Sequence, residues 1–342
     1  MRKKISKAII MLTVIVLIIV KASCVEIDKY VYQGSYMNER DYLFTFRHEG
    51  KYGYMDEEGN IIVAPIYDMV RDFSEGLALV GNYYTCRINF CGGYINTNGE
   101  MIIKIDNFRR GFDFKEGLSL VIYVDKDSEY WQSTADLEWA MLIDKNGEVI
   151  LRFDPYPPRP FSEGLSAIYD IPSKKWGYID ITGNYFIEPI YDFAFSFSEG
   201  LASVSIDGRR TYGYINKSGD FVIEPQFEDT RSFSEGFAVV WSNNKRGYIN
   251  TTGEVVIPYI YDSAGNFSGG YAIVGIGNEY KVIDKSGNEI VIPNTNPADY
   301  LGEYYKGWFS VFGNSGDGSR GLTHYINLKG EILRPNIHQL NH

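Results

Sequence analysis

The sequence predicts an all-β protein, a tandem array of about eight three-stranded β repeats, coiled as an open superhelical solenoid or closed as a propeller-like ring. Three observations predict it. The phrase Phe-Ser-Glu-Gly recurs at 73–76, 161–164, 197–200 and 233–236. A second phrase, typified by KWGYIDITGNYFIEPIYD at 175–192, recurs between those copies. Composition agrees: 28 Tyr, 20 Phe and 35 Gly in 342 residues favour strands joined by tight turns.

The second phrase has eight copies, each with Asp or Asn, two variable residues, then Gly. The glycines are Gly59, Gly99, Gly147, Gly183, Gly219, Gly253, Gly287 and Gly330, a unit of about 34–36 residues with insertions. Asp or Asn at the first turn position can accept a bond from the backbone two residues on, and Gly at the fourth accepts positive φ. These residues predict a hairpin. A first strand such as Gly177-Tyr178-Ile179 precedes the turn, and a second such as Tyr185-Phe186-Ile187 follows it. Pro189, Pro225, Pro258, Pro293 and Pro335 are expected to stop that second strand, because Pro donates nothing to a ladder.

The Phe-Ser-Glu-Gly phrase is expected to end the connection and open a third strand, such as Leu201–Val204 or Phe237–Val240. Phe73, Phe114, Phe161, Phe197, Phe233 and Phe267, with Tyr304 as a seventh, are expected to plug the core. The chain begins on Tyr42–Phe46, third-strand-like, and ends on Glu331–Leu333, second-strand-like. Units therefore run third–first–second across 42–335, followed by a tail at 336–342. One such unit cannot bury its apolar face alone, so neighbours must stack on it.

Residues 1–23 read as a signal peptide or N-terminal membrane anchor: the basic MRKKISK precedes an apolar run from Ala8 to Val20. That run is short for a spanning helix, which needs about 20 residues. Cys24, behind Ala22-Ser23, stands where a lipidated cysteine would, although Lys21 departs from the apolar residue usual three positions earlier. Residues 24–41 read as a linker. Without residues 1–23 the chain keeps 28 basic and 44 acidic residues, a charge of −16. Such a surface repels phosphates, which argues against nucleic acid and leaves membrane attachment to the N-terminus. The expected location is outside the cytoplasm, at the cell envelope or secreted. In that oxidising setting Cys86 and Cys91 are candidates for a disulfide, with two free thiols as the alternative.

No catalytic residues are expected. The four His (His48, His324, His338, His342) form no recognisable motif, and the carboxylates recur one per repeat at Glu75, Glu116, Glu163, Glu199 and Glu235. Spacing of that kind suits a structural role better than a calcium shell or a glycosidase pair. No metal or cofactor is expected.

The phrases Lys-Trp-Gly-Tyr-Ile-Asp, Ile-Glu-Pro-x-Tyr-Asp and Phe-Ser-Glu-Gly-Leu-Ala resemble the WG-repeat family of bacterial proteins over about 290 residues. The resemblance implies a β-repeat fold and frequent export, and it implies no assigned activity. Only Trp176-Gly177 is literally Trp-Gly. The Trp position elsewhere holds Tyr52, Gly92, Ala140, Tyr212, Arg246, Tyr280 and Thr323, while Met141, Lys281 and His324 replace its Gly.

Two surfaces are candidates for binding. Tyr54, Tyr94, Tyr178, Tyr214, Tyr248 and Tyr325 recur at one repeat position, a regularity that is expected of a core ladder. The variable position before them, with Tyr52, Trp176, Tyr212 and Tyr280, is the expected solvent-facing ligand surface. The insertions at 125–138 and 313–321 are the second candidate. The function expected is a non-enzymatic protein-binding scaffold at the envelope. The alternative is a binder of carbohydrate or cell wall through the exposed Trp and Tyr.

Overall fold

A computed structural model describes residues 42–83, 90–124, 138–153, 156–206, 208, 211–277, 279–295, 300–314 and 320–341. The N-terminal segment with Cys24, the cysteine Cys86 and the centres of both insertions lie outside these residues.

Eight small antiparallel sheets follow one another along the chain, and they form the blades of a β-propeller. Blade 1 holds Phe44–His48, Lys51–Met55 and Ile61–Tyr67. Blade 8 ends on Ile332–Leu333. The third–first–second frame is the blade frame. Among the described residues there is no α-helix, and no helix is long and apolar enough to cross a membrane. A 3₁₀ turn at Ile337–Asn341 follows the last strand.

Closure of the ring can be read from one repeated bond. In blade after blade, the core tyrosine donates its hydroxyl to a backbone carbonyl of the next blade: Tyr54 to Arg71, Tyr94 to Phe112, Tyr178 to Phe195, Tyr214 to Arg231 and Tyr248 to Gly265, all at 2.7–2.8 Å. Tyr325 makes the same kind of bond to Thr45 at 2.9 Å, from blade 8 back to blade 1. Phe44, Met55, Tyr325 and Leu333 share one buried cluster across that junction. Asn336 N–H donates to the Gly59 carbonyl at 2.8 Å, tying the tail to the first hairpin.

The expectation of three strands per unit is corrected in six blades, which carry four. The extra strand is only two residues long in five of them: Met69–Val70, Arg110–Gly111, Phe193–Ala194, Asp229–Thr230 and Ser263–Ala264. It pairs with the strand behind Phe-Ser-Glu-Gly, as Val70 does with Val80. Blade 4 has Pro157-Pro158 at the equivalent place. Two prolines supply no N–H, so no ladder forms, yet Arg159 N–H still donates to Ala167 as Arg71 does to Leu79. Residues of blades 8, 1, 2 and 3, including both short strands of blades 2 and 3, line one cavity of about 750 Å³. Only the centre of the ring touches four successive blades, so the short strands face the axis and the second strands form the periphery.

Glu289–Ile290 and Ile332–Leu333 end before Pro293 and Pro335 as expected, but the other three prolines do not stop their second strands. Tyr185–Tyr191, Phe221–Phe227 and Val255–Tyr261 run through Pro189, Pro225 and Pro258. These are edge strands, where a missing N–H costs no ladder bond. Each bulges there: Trp176 pairs with Tyr191 and Tyr178 with Ile187, so Glu188–Ile190 all face Gly177. A Cβ on Gly177 would lie 2.7 Å from the Ile187 carbonyl oxygen, and one on Gly247 would lie 2.6 Å from that of Ile257. The glycine after the Trp position is therefore kept for close approach of the bulged strand.

Candidate functional site

The hairpin turns form as expected. Asp180 accepts from the Thr182 and Asn184 amides at 2.8 and 3.2 Å, and Gly183 sits at φ 84°. The Phe-Ser-Glu-Gly phrase does more than turn the chain. Phe73, Phe114, Phe161, Phe197, Phe233 and Phe267 are all buried. The serine that follows Phe bonds the equivalent Phe carbonyl of the next blade: Ser74 to Phe114, Ser162 to Phe197, Ser198 to Phe233 and Ser234 to Phe267, at 2.6–2.8 Å.

The glutamate adopts positive φ, 51–57° across five copies. Its carboxylate accepts from the amides of the next copy: Glu75 from Glu116 and Gly117, Glu116 from Glu163 and Gly164, Glu163 from Gly200, Glu199 from Gly236, Glu235 from Gly269 and Gly270. Lys145, Lys217 and Lys285 close ion pairs on Glu75, Glu163 and Glu235 at 3.0–3.2 Å. Burial pushes the Glu75 and Glu235 carboxyls up, but the lysines and amides outweigh it and hold both below the usual range. These periodic carboxylates are structural, joining blade to blade. Recurrence of a polar residue once per repeat was the available signal for such a joint.

The four expected ligand residues do not make one face. Tyr280, on blade 7, is 44% exposed. Tyr52, on blade 1, is half-buried beside the central cavity with the Arg47 guanidinium 5.7 Å from its ring. Trp176 of blade 4 and Tyr212 of blade 5 do converge, with ring centroids 5.6 and 6.2 Å from that of Phe193. Tyr169 and Phe195 complete this cluster. Cys91 is half-buried on the strand Phe90–Asn96, while its expected partner Cys86 lies outside the described residues. His48 stands on blade 1, His324 on blade 8 beside Thr323, and His338 in the tail.

Arg159 sits over this aromatic cluster, and the sequence reading missed it. Its guanidinium carbon lies 4.9, 5.0 and 5.2 Å from the centroids of Trp176, Phe193 and Phe195. Its Nε is buried without a hydrogen-bond partner. Burial lowers its pKa, partly offset by Tyr178 and Tyr212. The signal lay in the position two before the repeated Phe, which reads Arg71, Phe112, Arg159, Phe195, Arg231 and Gly265.

Beside the cluster opens a cleft of about 330 Å³ lined by Asp192, Phe193, Ser205, Gly208 and Tyr212. Asp192 is already engaged. Lys175 Nζ lies 2.5 Å from it and the Gly208 amide 2.9 Å, and together they hold its carboxyl below the usual range. Ser205 is buried, and its hydroxyl has no partner. The walls are aromatic, the polar groups are one neutralised carboxylate and one orphaned hydroxyl, and an arginine lies close by. Such a lining suits binding, with the aromatic faces supplying contact area and the polar groups orientation.

Along the periphery, the second strands expose large apolar side chains. Phe186 and Ile190 of blade 4 are 56% and 57% exposed, and Ile260 of blade 6 is 50% exposed. Tyr185, Val222, Val255 and Val256 extend this rim over blades 4–6.

A family model described as "WG containing repeat" matches five segments: residues 52–82, 93–125, 176–209, 212–245 and 247–280. These begin in blades 1, 2, 4, 5 and 6, the blades that keep the close-approach glycine. The first strands of blades 3, 7 and 8 carry Met141, Lys281 and His324 there. No curated protein matches the sequence. Among solved structures, a eukaryotic initiation factor is similar at 12% identity over 85% of this chain and 84% of that one, with a TM-score of 0.50. A virginiamycin B lyase from Staphylococcus aureus aligns at 14% identity over 71% and 90%, TM-score 0.42. Apo AztD from Citrobacter koseri aligns at 8% identity over 86% and 94%, TM-score 0.48. At such identities the likeness to the initiation factor is one of fold alone.

Proposed function

The chain is a WG-repeat protein folded as an eight-bladed propeller, and from that premise we propose that it is a non-enzymatic scaffold that binds a protein partner at the cell envelope. Its apolar rim carries the reading. Phe186, Ile190 and Ile260, with the valines beside them, are large apolar groups left in water on a molecule whose blade joints are otherwise closely bonded. Large apolar side chains exposed on the outer strands of successive blades mark a surface for protein contact. The prolines in the same edge strands discourage strand-to-strand addition, so the partner docks through side chains. Many modest contacts on a preformed ring, with aromatic anchors such as Phe186, supply the affinity. Export rests on residues 1–23, and tethering on that apolar segment or on a lipid at Cys24.

The test is retention of envelope material on the immobilised full chain, with the material pretreated by protease or by glycan hydrolases. Signal lost after protease, and lost with Phe186→Ser combined with Ile190→Ser, is the expected result. Signal that survives protease and disappears after glycan digestion overturns the reading.

A further inference from the structure

Arg71 and Arg159 occupy the same repeat position, and each stacks on a Phe of the following blade: Arg71 on Phe112 at 5.7 Å, Arg159 on Phe195 at 5.2 Å. The residue after that Phe decides the charge balance. After Phe112 comes Asp113, whose carboxylate lies 3.4 Å from the Arg71 guanidinium. After Phe195 comes Ser196, whose hydroxyl donates to the Pro160 carbonyl. Among the described residues, no carboxylate lies within ion-pair distance of Arg159. The Nε of this half-buried guanidinium is shut off from water and has no partner, and no described carboxylate balances the charge.

The neighbouring cleft says what brings the anion. Phe193 forms both the floor under Arg159 and a wall of the 330 Å³ cleft. Tyr212 meets it edge to face, with ring centroids 6.2 Å apart and an interplanar angle of 89°, so the two rings form a corner of the cleft. Flat aromatic faces bind the C–H faces of sugar rings, and the buried, unpartnered Ser205 hydroxyl needs a partner on whatever enters. Asp192 on the same wall is neutralised by Lys175, so it does not bar a negative ligand.

We propose that the seam of blades 4 and 5 binds an acidic sugar, its ring against Phe193 and Tyr212, its carboxylate on Arg159 and a hydroxyl on Ser205. This site is separate from the apolar rim and stands whether or not a protein docks there. The acidity of the whole chain opposes such a ligand at long range. At physiological salt that repulsion is screened beyond about 8 Å, and the local guanidinium dominates.

Calorimetric titration of the full chain with glucuronate, glucose and benzoate, at fixed ionic strength, tests it. Glucuronate is expected to bind saturably, with glucose and benzoate each at least ~10-fold weaker, because each lacks one half of the recognised chemistry. Arg159→Gln is expected to cost at least ~10-fold. Ser196→Asp is the sharper variant. It places at blade 5 the residue that blade 3 already carries, so the fold tolerates it, and it supplies Arg159 with an internal counter-ion. Glucuronate affinity should fall by ~10-fold or more with the melting temperature maintained. Glucose binding as well as glucuronate, benzoate binding as well as glucuronate, an affinity unmoved by Ser196→Asp, or no heat at all each overturns the proposal.

Discussion

The seam between blades 2 and 3 and the seam between blades 4 and 5 are built on one plan. Each has a core tyrosine bonded to a Phe carbonyl, Tyr94 to Phe112 and Tyr178 to Phe195. Each has a repeated Phe behind it, Phe114 or Phe197, fully buried. Each has an arginine laid on the first Phe. They differ in what faces the arginine: a carboxylate at Asp113, a hydroxyl at Ser196. In the first seam the arginine has an ion-pair partner, and in the second the arginine Nε has no partner and lies beside a cleft. The frame that holds a repeat protein together and the chemistry that individualises it are thus written at neighbouring positions, and a single residue separates a structural joint from a candidate site.

The comparison breaks first if the frames are not equivalent. Phe114→Ala and Phe197→Ala should each cost about 3–5 kcal/mol, because each opens a cavity in a buried aromatic cluster. Denaturant unfolding that gave values differing by more than about 2 kcal/mol would show the two seams to be packed differently.

A smaller difference is expected at the tyrosines. Tyr178→Phe leaves the Phe195 carbonyl without its side-chain donor and should cost about 1–3 kcal/mol. Tyr94→Phe leaves the Phe112 carbonyl still bonded by Ser119 at 2.7 Å, so about 1 kcal/mol or less is expected. Equal losses in the two variants would remove Ser119 from the account.

Acid sharpens the view of the belt that joins blades 2 to 7. Glu75 and Glu235 have folded pKa values below the ordinary 4.5, so their contribution is present above that pH and is lost as pH falls through and below it. Melting temperature should therefore drop between neutral pH and the acid range, and Glu75→Gln should flatten part of that slope. A variant as acid-sensitive as the parent would show that the Lys145–Glu75 joint adds nothing.

The smallest expected effect is the exchange of the distinguishing pair. Burial raises the Asp113 carboxyl more than Arg71 lowers it, so Asp113→Ser sets the lost counter-ion against relieved burial; the lost counter-ion is expected to win by about 1 kcal/mol or less, both partners being over a third exposed. Ser196→Asp should stabilise by a similar amount. Opposite signs in the two unfolding curves are the outcome that supports the seam comparison, and matching signs break it.

Much of this molecule was legible in its sequence because a repeat displays its local rules many times over, the turn rule eight times and the core Phe and Tyr rules six times each. The Asp/Asn and Gly of the hairpin turn, the buried Phe and the core tyrosines each follow from chemistry within a few residues of chain. The short axial strands were not legible: two residues carry no alternation, and only pairing with a neighbour makes them strands. The close-approach glycine was seen as recurrent, but its reason lies in the bulge of an adjacent strand. The binding residues divided in the same way. Trp176 and Tyr212 were singled out by the repeat, whereas Phe193, Ser205 and Arg159 join them only because consecutive blades fold against each other.

The sequence by itself determined the repeat length, its frame, its turns and the identity of its core, since these depend on dihedral preference and on burial at fixed spacing. Tertiary structure alone decided that the array closes, because closure rests on Tyr325 reaching Thr45 across 280 residues of chain. It also decided which arginine finds a counter-ion, because charge balance is settled between side chains that meet only across a blade seam.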